Sequence, residues 1–195
     1  MQLLKDEYDQ EITDRSLDLV QRLKVIVNRI LGFAKSDREP EYSVFPISEV
    51  INDVTDLLET MINDHNVKII VSNEDTLFRA DKELIKVVVL CLIENGIKYN
   101  TSSEPTIQID CDSGDGTIKV RDNGIGIPTD KLEYVFDPFH QLDAERSGTG
   151  LGLSMTRRIV ENHSGTIRAV RVENGTQFVI NLPKADDSEV LEFVG

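Results

Sequence analysis

Glu94-Asn95-Gly96-Ile97-Lys98-Tyr99, Asp122-Asn123-Gly124-Ile125-Gly126-Ile127-Pro128 and Gly148-Thr149-Gly150-Leu151-Gly152-Leu153 are the three stretches that decide how this chain folds. The first sets an amide and a cation one helical turn apart. Asn95 offers a neutral oxygen, suited to Mg²⁺ when phosphate oxygens and waters complete the octahedron. Lys98 brings a point charge to the same phosphates, and Tyr99 a flat surface for an adenosine. Read alone, Asn95 and Lys98 are only the wet face of an amphipathic helix. In the second stretch, Asp122 closes a strand, and its carboxylate can accept from the exocyclic amine of adenine, a test that guanine fails. Gly124 and Gly126 let the backbone come close to a base with no Cβ in the way, although Asp-Asn-Gly after a strand is also an ordinary turn. In the third stretch, Gly148, Gly150 and Gly152 lie where a loop becomes a helix. Free N–H groups and the helix dipole favour an anion there, Thr149 adds a hydroxyl donor, and Arg146 lies just upstream.

Working outward, residues 3–35 read as one long helix. Ile12, Leu19, Leu23, Ile26, Val27, Ile30 and Ala34 recur at three- and four-residue steps with charges between them. Ser36 to Pro46 is polar and interrupted by proline, the pattern of a linker. Ser48 is placed to cap a helix running to about Asn63, and Asp81 to cap the helix that carries Asn95. Val67–Ser72 and Thr76–Ala80 suggest strands. Thr106–Cys111 and Thr117–Arg121 alternate around Ser113-Gly114-Asp115-Gly116 as a hairpin. A helix over Leu151–His163 is followed by a closing hairpin, Thr166–Val172 and Thr176–Leu182, around Asn174-Gly175. The expected fold class is α/β, a two-layer sandwich of a mixed β-sheet with helices on one face, preceded by one long amphipathic helix.

With Phe136-Asp137-Pro138-Phe139 between the last two, the three stretches resemble the ATP-binding domain of sensor histidine kinases over about residues 40–183. That family shares its Bergerat-type fold with Hsp90, DNA gyrase and MutL. The resemblance implies a mixed sheet backed by three helices, with ATP and Mg²⁺ as ligands. It puts the Mg²⁺ ligand at Asn95, a phosphate contact at Lys98 and an assisting acid at Glu94. Nucleotide contacts are expected from Asn95, Lys98, Tyr99, Asp122, Gly124, Gly126, Ile127, Phe139, Arg146, Gly148, Thr149, Gly150, Leu151, Gly152 and Leu153. Residues 129–147 would form a lid anchored by Phe136 and Phe139. The expected division is 1–36 part of a dimerisation hairpin (its second helix), 37–47 linker, 48–184 ATP-binding catalytic domain and 185–195 acidic tail.

Two departures from the family pattern stand out. The position four residues before Asn95 is usually a second asparagine, or in the related ATPases a water-activating glutamate. Here it is Cys91, a poor Mg²⁺ ligand and a poor base when neutral, which speaks against gyrase-type hydrolysis. Nor does any of His65, His140 or His163 have the context of a phosphoacceptor, which in the family lies near the start of the dimerisation hairpin. The expected reaction is therefore donation of the ATP γ-phosphoryl group to a histidine outside this chain, for relay to a response regulator. The alternatives are a weak or inactive ATP-binding regulatory module and a serine kinase of the anti-sigma type.

Composition narrows the remaining choices. Of 195 residues 39% are hydrophobic, enough for a core, and the formal charge of −14 argues against binding nucleic acid through its phosphates. The longest apolar run, Val87 to Ile93, is seven residues, against roughly 20 for a membrane span. Cys91 and Cys111 have no metal or redox spacing and read as buried thiols of a cytoplasmic protein. Expected partners are ATP, the phosphoacceptor helix of its own kinase and a response regulator. A weak homodimer through residues 12–34 is also expected.

Overall fold

The structure, a computed structural model, describes residues 39–112, 114–140 and 150–183, together with Ser16, Leu19, Val20, Leu23, Ile26, Val27 and Ile30. These last seven are helical and exposed, Ile30 at 62%. The rest of the long helix expected over residues 3–35 and the acidic tail 185–195 lie outside the described residues. In chain order the described elements are β1 (Ser43–Pro46), α1 (Ile47–Leu57), α2 (Glu59–Asp64), β2 (Lys68–Ser72), β3 (Leu77–Ala80), α3 (Lys82–Lys98), β4 (Thr106–Asp112), β5 (Thr117–Asp122), α4 (Gly152–Asn162), β6 (Thr166–Arg171) and β7 (Thr176–Asn181).

The apolar run on α3 explains the architecture. A helix carrying Leu84, Ile85, Val87, Val88, Val89, Leu90, Leu92 and Ile93 within three turns is apolar nearly all round, and all eight are buried. It packs against α1 on one flank and α4 on the other. Asp81 caps it as expected, Oδ1 accepting from Leu84 N at 3.1 Å. Asp81 is also a joint. Its Oδ2 accepts from Glu41 N at 3.0 Å, and its N–H donates to Nε2 of the buried His163 at the end of α4.

The main sheet has the order β2-β4-β5-β7-β6, with β2 and β4 parallel and the other pairs antiparallel. Register sorts its two faces. Ile109 opposes Val120, Cys111 opposes Ile118, Ile118 opposes Ile180 and Val120 opposes Phe178, so one face is an apolar plate beneath the helices. Gln108 opposite Arg121 and Asp110 opposite Lys119 occupy the other face, the alternation of a one-sided sheet. Burial among these strands pushes the Cys111 thiol up to about 12, with Asp110 adding to the shift.

Three expectations change. Ser43–Pro46, read as linker, is a strand pairing antiparallel with β3, with the buried Phe45 opposite Phe78. A two-stranded ribbon accepts Pro46 at its end, where no ladder donor is missed. Ser48 caps nothing. Pro46 occupies the N-cap, and the N–H groups of Ile47 and Ser48 donate to the carbonyls of Thr76 and Glu74 at 3.0 Å each. The helix also breaks at Leu58 (φ −100°, ψ 8°) instead of running unbroken to Asn63. Thr55 Oγ1, bonded to Ile51 O at 3.0 Å, supplies the back-bonding that bends helices.

Candidate functional site

The candidate site has two ends, and both rest on α3. At one end, Asp122 closes β5 and lies against the last turn of the helix. A Cβ on Gly96 would come within 3.5 Å of the Asp122 Cβ. Backbone donors hold the carboxyl group: Gly124 N reaches Oδ1 at 2.9 Å and Thr176 N at 3.3 Å. Both of these bonds fall on Oδ1. Burial raises the Asp122 pKa above the usual aspartate value, and backbone hydrogen bonds from Gly124, Thr176 and Asp122 itself, with the Arg121 charge, oppose that shift without cancelling it. An acceptor oxygen that keeps one lone-pair side open suits an amine donor.

The loop beyond Asp122 is fixed to the closing hairpin. Ile127 N donates to Thr176 Oγ1 at 3.1 Å, and Arg171 Nη1 donates to Ile127 O at 3.0 Å. Gly175 fits beneath them because it has no side chain. Its φ is +103°, and a Cβ there would come within 2.1 Å of Asp122 O. Sequence reading took Asn174-Gly175 for a turn and passed over Thr176 and Arg171. They meet Asp122 and Ile127 only through the β5–β7 pairing, about 50 residues away along the chain, and no local pattern encodes that. Asn123, beside the site, is fully engaged in structure: Oδ1 accepts from Asn100 Nδ2 and Thr106 N, and Nδ2 donates to Ser102 Oγ and Glu104 O.

At the other end, Glu94, Asn95 and Lys98 occupy the last turns of α3 and are half-buried, and Tyr99 is its C-cap. The Lys98 ammonium lies 5.3 Å from the centre of the Tyr99 ring. Asn95 Nδ2 donates to Cys91 Sγ at 3.7 Å. Cys91 in turn packs under the start of α4, where a Cβ on Gly152 would fall 2.9 Å from its sulfur. The glycine-rich turn and the asparagine face are thus brought together across this thiol. The N-cap of α4, Leu151, provides no side-chain cap, and a helix start is where backbone N–H groups and the helix dipole favour an anion. Nearby, His140 Nδ1 is buried without a hydrogen-bond partner among the described residues.

Phe136 and Phe139 part company. Phe136 is buried, edge-on to Phe178 at 6.2 Å and under the Arg157 guanidinium at 4.4 Å. Phe139 does not anchor by apolar contact among the described residues: it is 75% exposed, has φ +63°, and its N–H donates to Gly150 O at 3.0 Å. Arg146, Gly148 and Thr149 lie outside the described residues, as do 141–149 as a whole. Of the histidines, His163 is buried with both ring nitrogens in use. Nδ1–H donates to Ile159 O at 2.8 Å, which makes Nε2 the acceptor of Asp81 N–H at 3.0 Å. His65 Nδ1 bonds Met61 O at 2.9 Å on the surface. No helix among the described residues is long and apolar enough to cross a membrane.

These features can be set beside known proteins. Residues 80–186 match the family described as Histidine kinase-, DNA gyrase B-, and HSP90-like ATPase. Sensor protein kinase WalK of Staphylococcus saprophyticus is 34% identical over 191 residues, covering 88% of this chain and 29% of that kinase. The catalytic domain of histidine kinase ThkA superposes with a TM-score of 0.64 at 33% identity, covering 74% of this chain and 96% of that one. ThkA in complex with response regulator protein TrrA gives a TM-score of 0.66 at 30% identity, covering 87% of this chain and 49% of that one. The chain spans less than half the length of the curated relatives it matches. With Asp122 and its hairpin against the last turn of α3 and the glycine-rich helix start packed on Cys91 earlier in the same helix, the chain belongs to the histidine kinase-, DNA gyrase B- and HSP90-like ATPase family, as the ATP-binding domain of a two-component sensor histidine kinase.

Proposed function

We propose that this domain holds ATP for transfer of the γ-phosphoryl group to a histidine nitrogen outside the chain, and that the group then passes to an aspartate on a response regulator. The observation that carries the reading is the position of α3, which touches Asp122 through Gly96 and the glycine-rich helix start through Cys91. One rigid helix thereby sets the distance between the base end and the phosphate end, and phosphoryl transfer depends mainly on such positioning and on charge neutralisation. Asp122 selects adenine, and Tyr99, Gly124, Gly126 and Ile127 surround the base. Lys98 and the glycine-rich helix start (Gly148, Thr149, Gly150, Leu151, Gly152 and Leu153) bind phosphate, with Phe139 and Arg146 as further nucleotide contacts. Glu94 assists the transfer.

Asn95 fits Mg²⁺: its amide nitrogen donates to Cys91 Sγ, which leaves the amide oxygen, the atom a hard cation binds, for the metal. Bound there, Mg²⁺ supplies charge neutralisation to the phosphates. The exposed stripe of Leu19, Leu23, Ile26 and Ile30 supports pairing with the dimerisation helices of the same kinase. The ThkA–TrrA complex supports a response regulator as the downstream partner, and the domain would work in the cytoplasm. Incubation with labelled ATP, Mg²⁺ and a separate phosphoacceptor hairpin tests the reading. Acid-labile, alkali-stable label should appear on the hairpin and none on this chain. Tight ATP binding with no label on the hairpin would refute transfer, and stoichiometric label on His65, His140 or His163 would refute an external acceptor.

A further inference from the structure

We propose that Cys91 is a positioning residue that orients the Asn95 amide, so that the departure from the family pattern serves the metal site without itself touching metal. The proposal rests on the reading of Asn95 as the Mg²⁺ ligand. An asparagine amide has two ends of nearly the same shape and opposite hydrogen-bonding character, and only the oxygen binds Mg²⁺. What faces the nitrogen therefore decides whether the oxygen is presented. Cys91 lies one turn before Asn95 on the same face of α3, and its sulfur accepts from Asn95 Nδ2 at 3.7 Å. Nδ2 is thus committed to the sulfur, and the oxygen is the end of the amide left for a cation.

The thiol is held where it can do this. Cys91 is 2% exposed, and α4 closes directly over it: even a Cβ on Gly152 would come 2.9 Å from the sulfur. The sulfur has little room to swing away from Asn95, and a substantially larger side chain at 91 would press on the first residue of α4. A neutral thiol also brings no oxygen of its own to compete for the cation. One atom thus fixes which end of Asn95 faces the metal and sets the spacing between α3 and the glycine-rich turn.

The test measures affinity for a non-hydrolysable ATP analogue by calorimetry, in Mg²⁺ and in EDTA, and takes the ratio as the metal dependence. Cys91→Ala should lower that ratio about three- to tenfold, the range expected from one modest hydrogen bond. Cys91→Ser, which keeps an acceptor, should recover most of the ratio. An unaltered ratio in Cys91→Ala, with or without a lower melting temperature, would make the thiol a packing residue and overturn the proposal. Asn95→Ala separates the two readings: if it leaves the ratio untouched, Asn95 is not the ligand and the prior reading fails, whatever Cys91 does. Should Cys91→Ala not fold, the unsubstituted protein still decides. Its Asn95 side-chain amide, assigned in NMR spectra by its absence in Asn95→Asp, should show slowed proton exchange, and a rapidly exchanging NH₂ would overturn the proposal.

Discussion

The two ends of the site are built differently. Around Asp122 the groups are fixed by backbone: Gly124 N and Thr176 N converge on one carboxyl oxygen, and Gly175 packs beneath within contact distance. Around Asn95 and Gly150 the fixing is by side chains and single contacts: a sulfur hydrogen bond, an ammonium over a ring, and a 75% exposed Phe139 held by one N–H. The base end is complete before a ligand arrives, whereas the phosphate end presents donors that a ligand would complete. On the proposed reading, adenine selectivity rests on the end held by several backbone contacts, and phosphoryl transfer on the end held by single side-chain contacts.

The most damaging single change should be at the base end. Gly175→Ala places a methyl group on the Asp122 carbonyl, 2.1 Å away, at a φ of +103° that alanine resists. Folding stability should fall by about 3 kcal/mol or more, seen in urea unfolding, and ATP affinity should disappear with it. Wild-type affinity in this variant would show that the base end is softer than the contrast requires.

Asp122→Asn comes next. It keeps the shape but presents a donor where the adenine amine needs an acceptor. ATP affinity should drop by about 1.5–3 kcal/mol, measured by calorimetry, with the fold intact. The pH dependence sharpens this. Burial raises the Asp122 pKa, so the folded state holds this proton more tightly than the unfolded one. Its contribution to stability is therefore present at low pH and is lost as pH rises through the folded pKa. ATP binding runs the other way, because the amine needs the ionised carboxylate. Affinity should weaken on acidification through that raised pKa, sooner than for an exposed aspartate, and Asp122→Asn should remove this acid limb.

Phe139→Ala at the phosphate end should do least, changing stability by no more than about 0.5 kcal/mol. Phe136→Ala, three residues away, should cost about 3–5 kcal/mol because it opens the core against Phe178. Equal losses in chemical unfolding would dissolve the distinction between the two ends.

Which parts could be read from the sequence follows from how local their causes are. The α3 cap at Asp81, the alternation of β4 and β5 and the start of α4 at Gly152 are written in neighbouring residues, and they appear where their patterns place them. β1 was hidden because its proline and polar residues look like a linker, and its partner, β3, lies more than 30 residues away. Ser48 looked like a cap because serine is a cap wherever no better acceptor or donor arrangement exists. Here the turn before β3 supplies carbonyls to Ile47 N and Ser48 N instead. Phe139 misled because apolar character predicts burial on average, and a left-handed backbone at that residue cannot be seen in a list of side chains. Thr176, Arg171 and Gly175 were beyond reach, since strand pairing alone brings them to Asp122 and Ile127.

The Asp81–His163 joint has a mechanical consequence. The chain entering the domain is moored by Glu41 N–H to the same carboxylate that caps α3, and Asp81 N–H ties that point to the far end of α4. A pull or twist on the incoming chain is delivered first to a pivot shared by both helices. Asn95 and Gly152 lie at the opposite ends of those helices, so each helix is a lever arm, and a small rotation at the pivot becomes a larger displacement where the phosphates would lie.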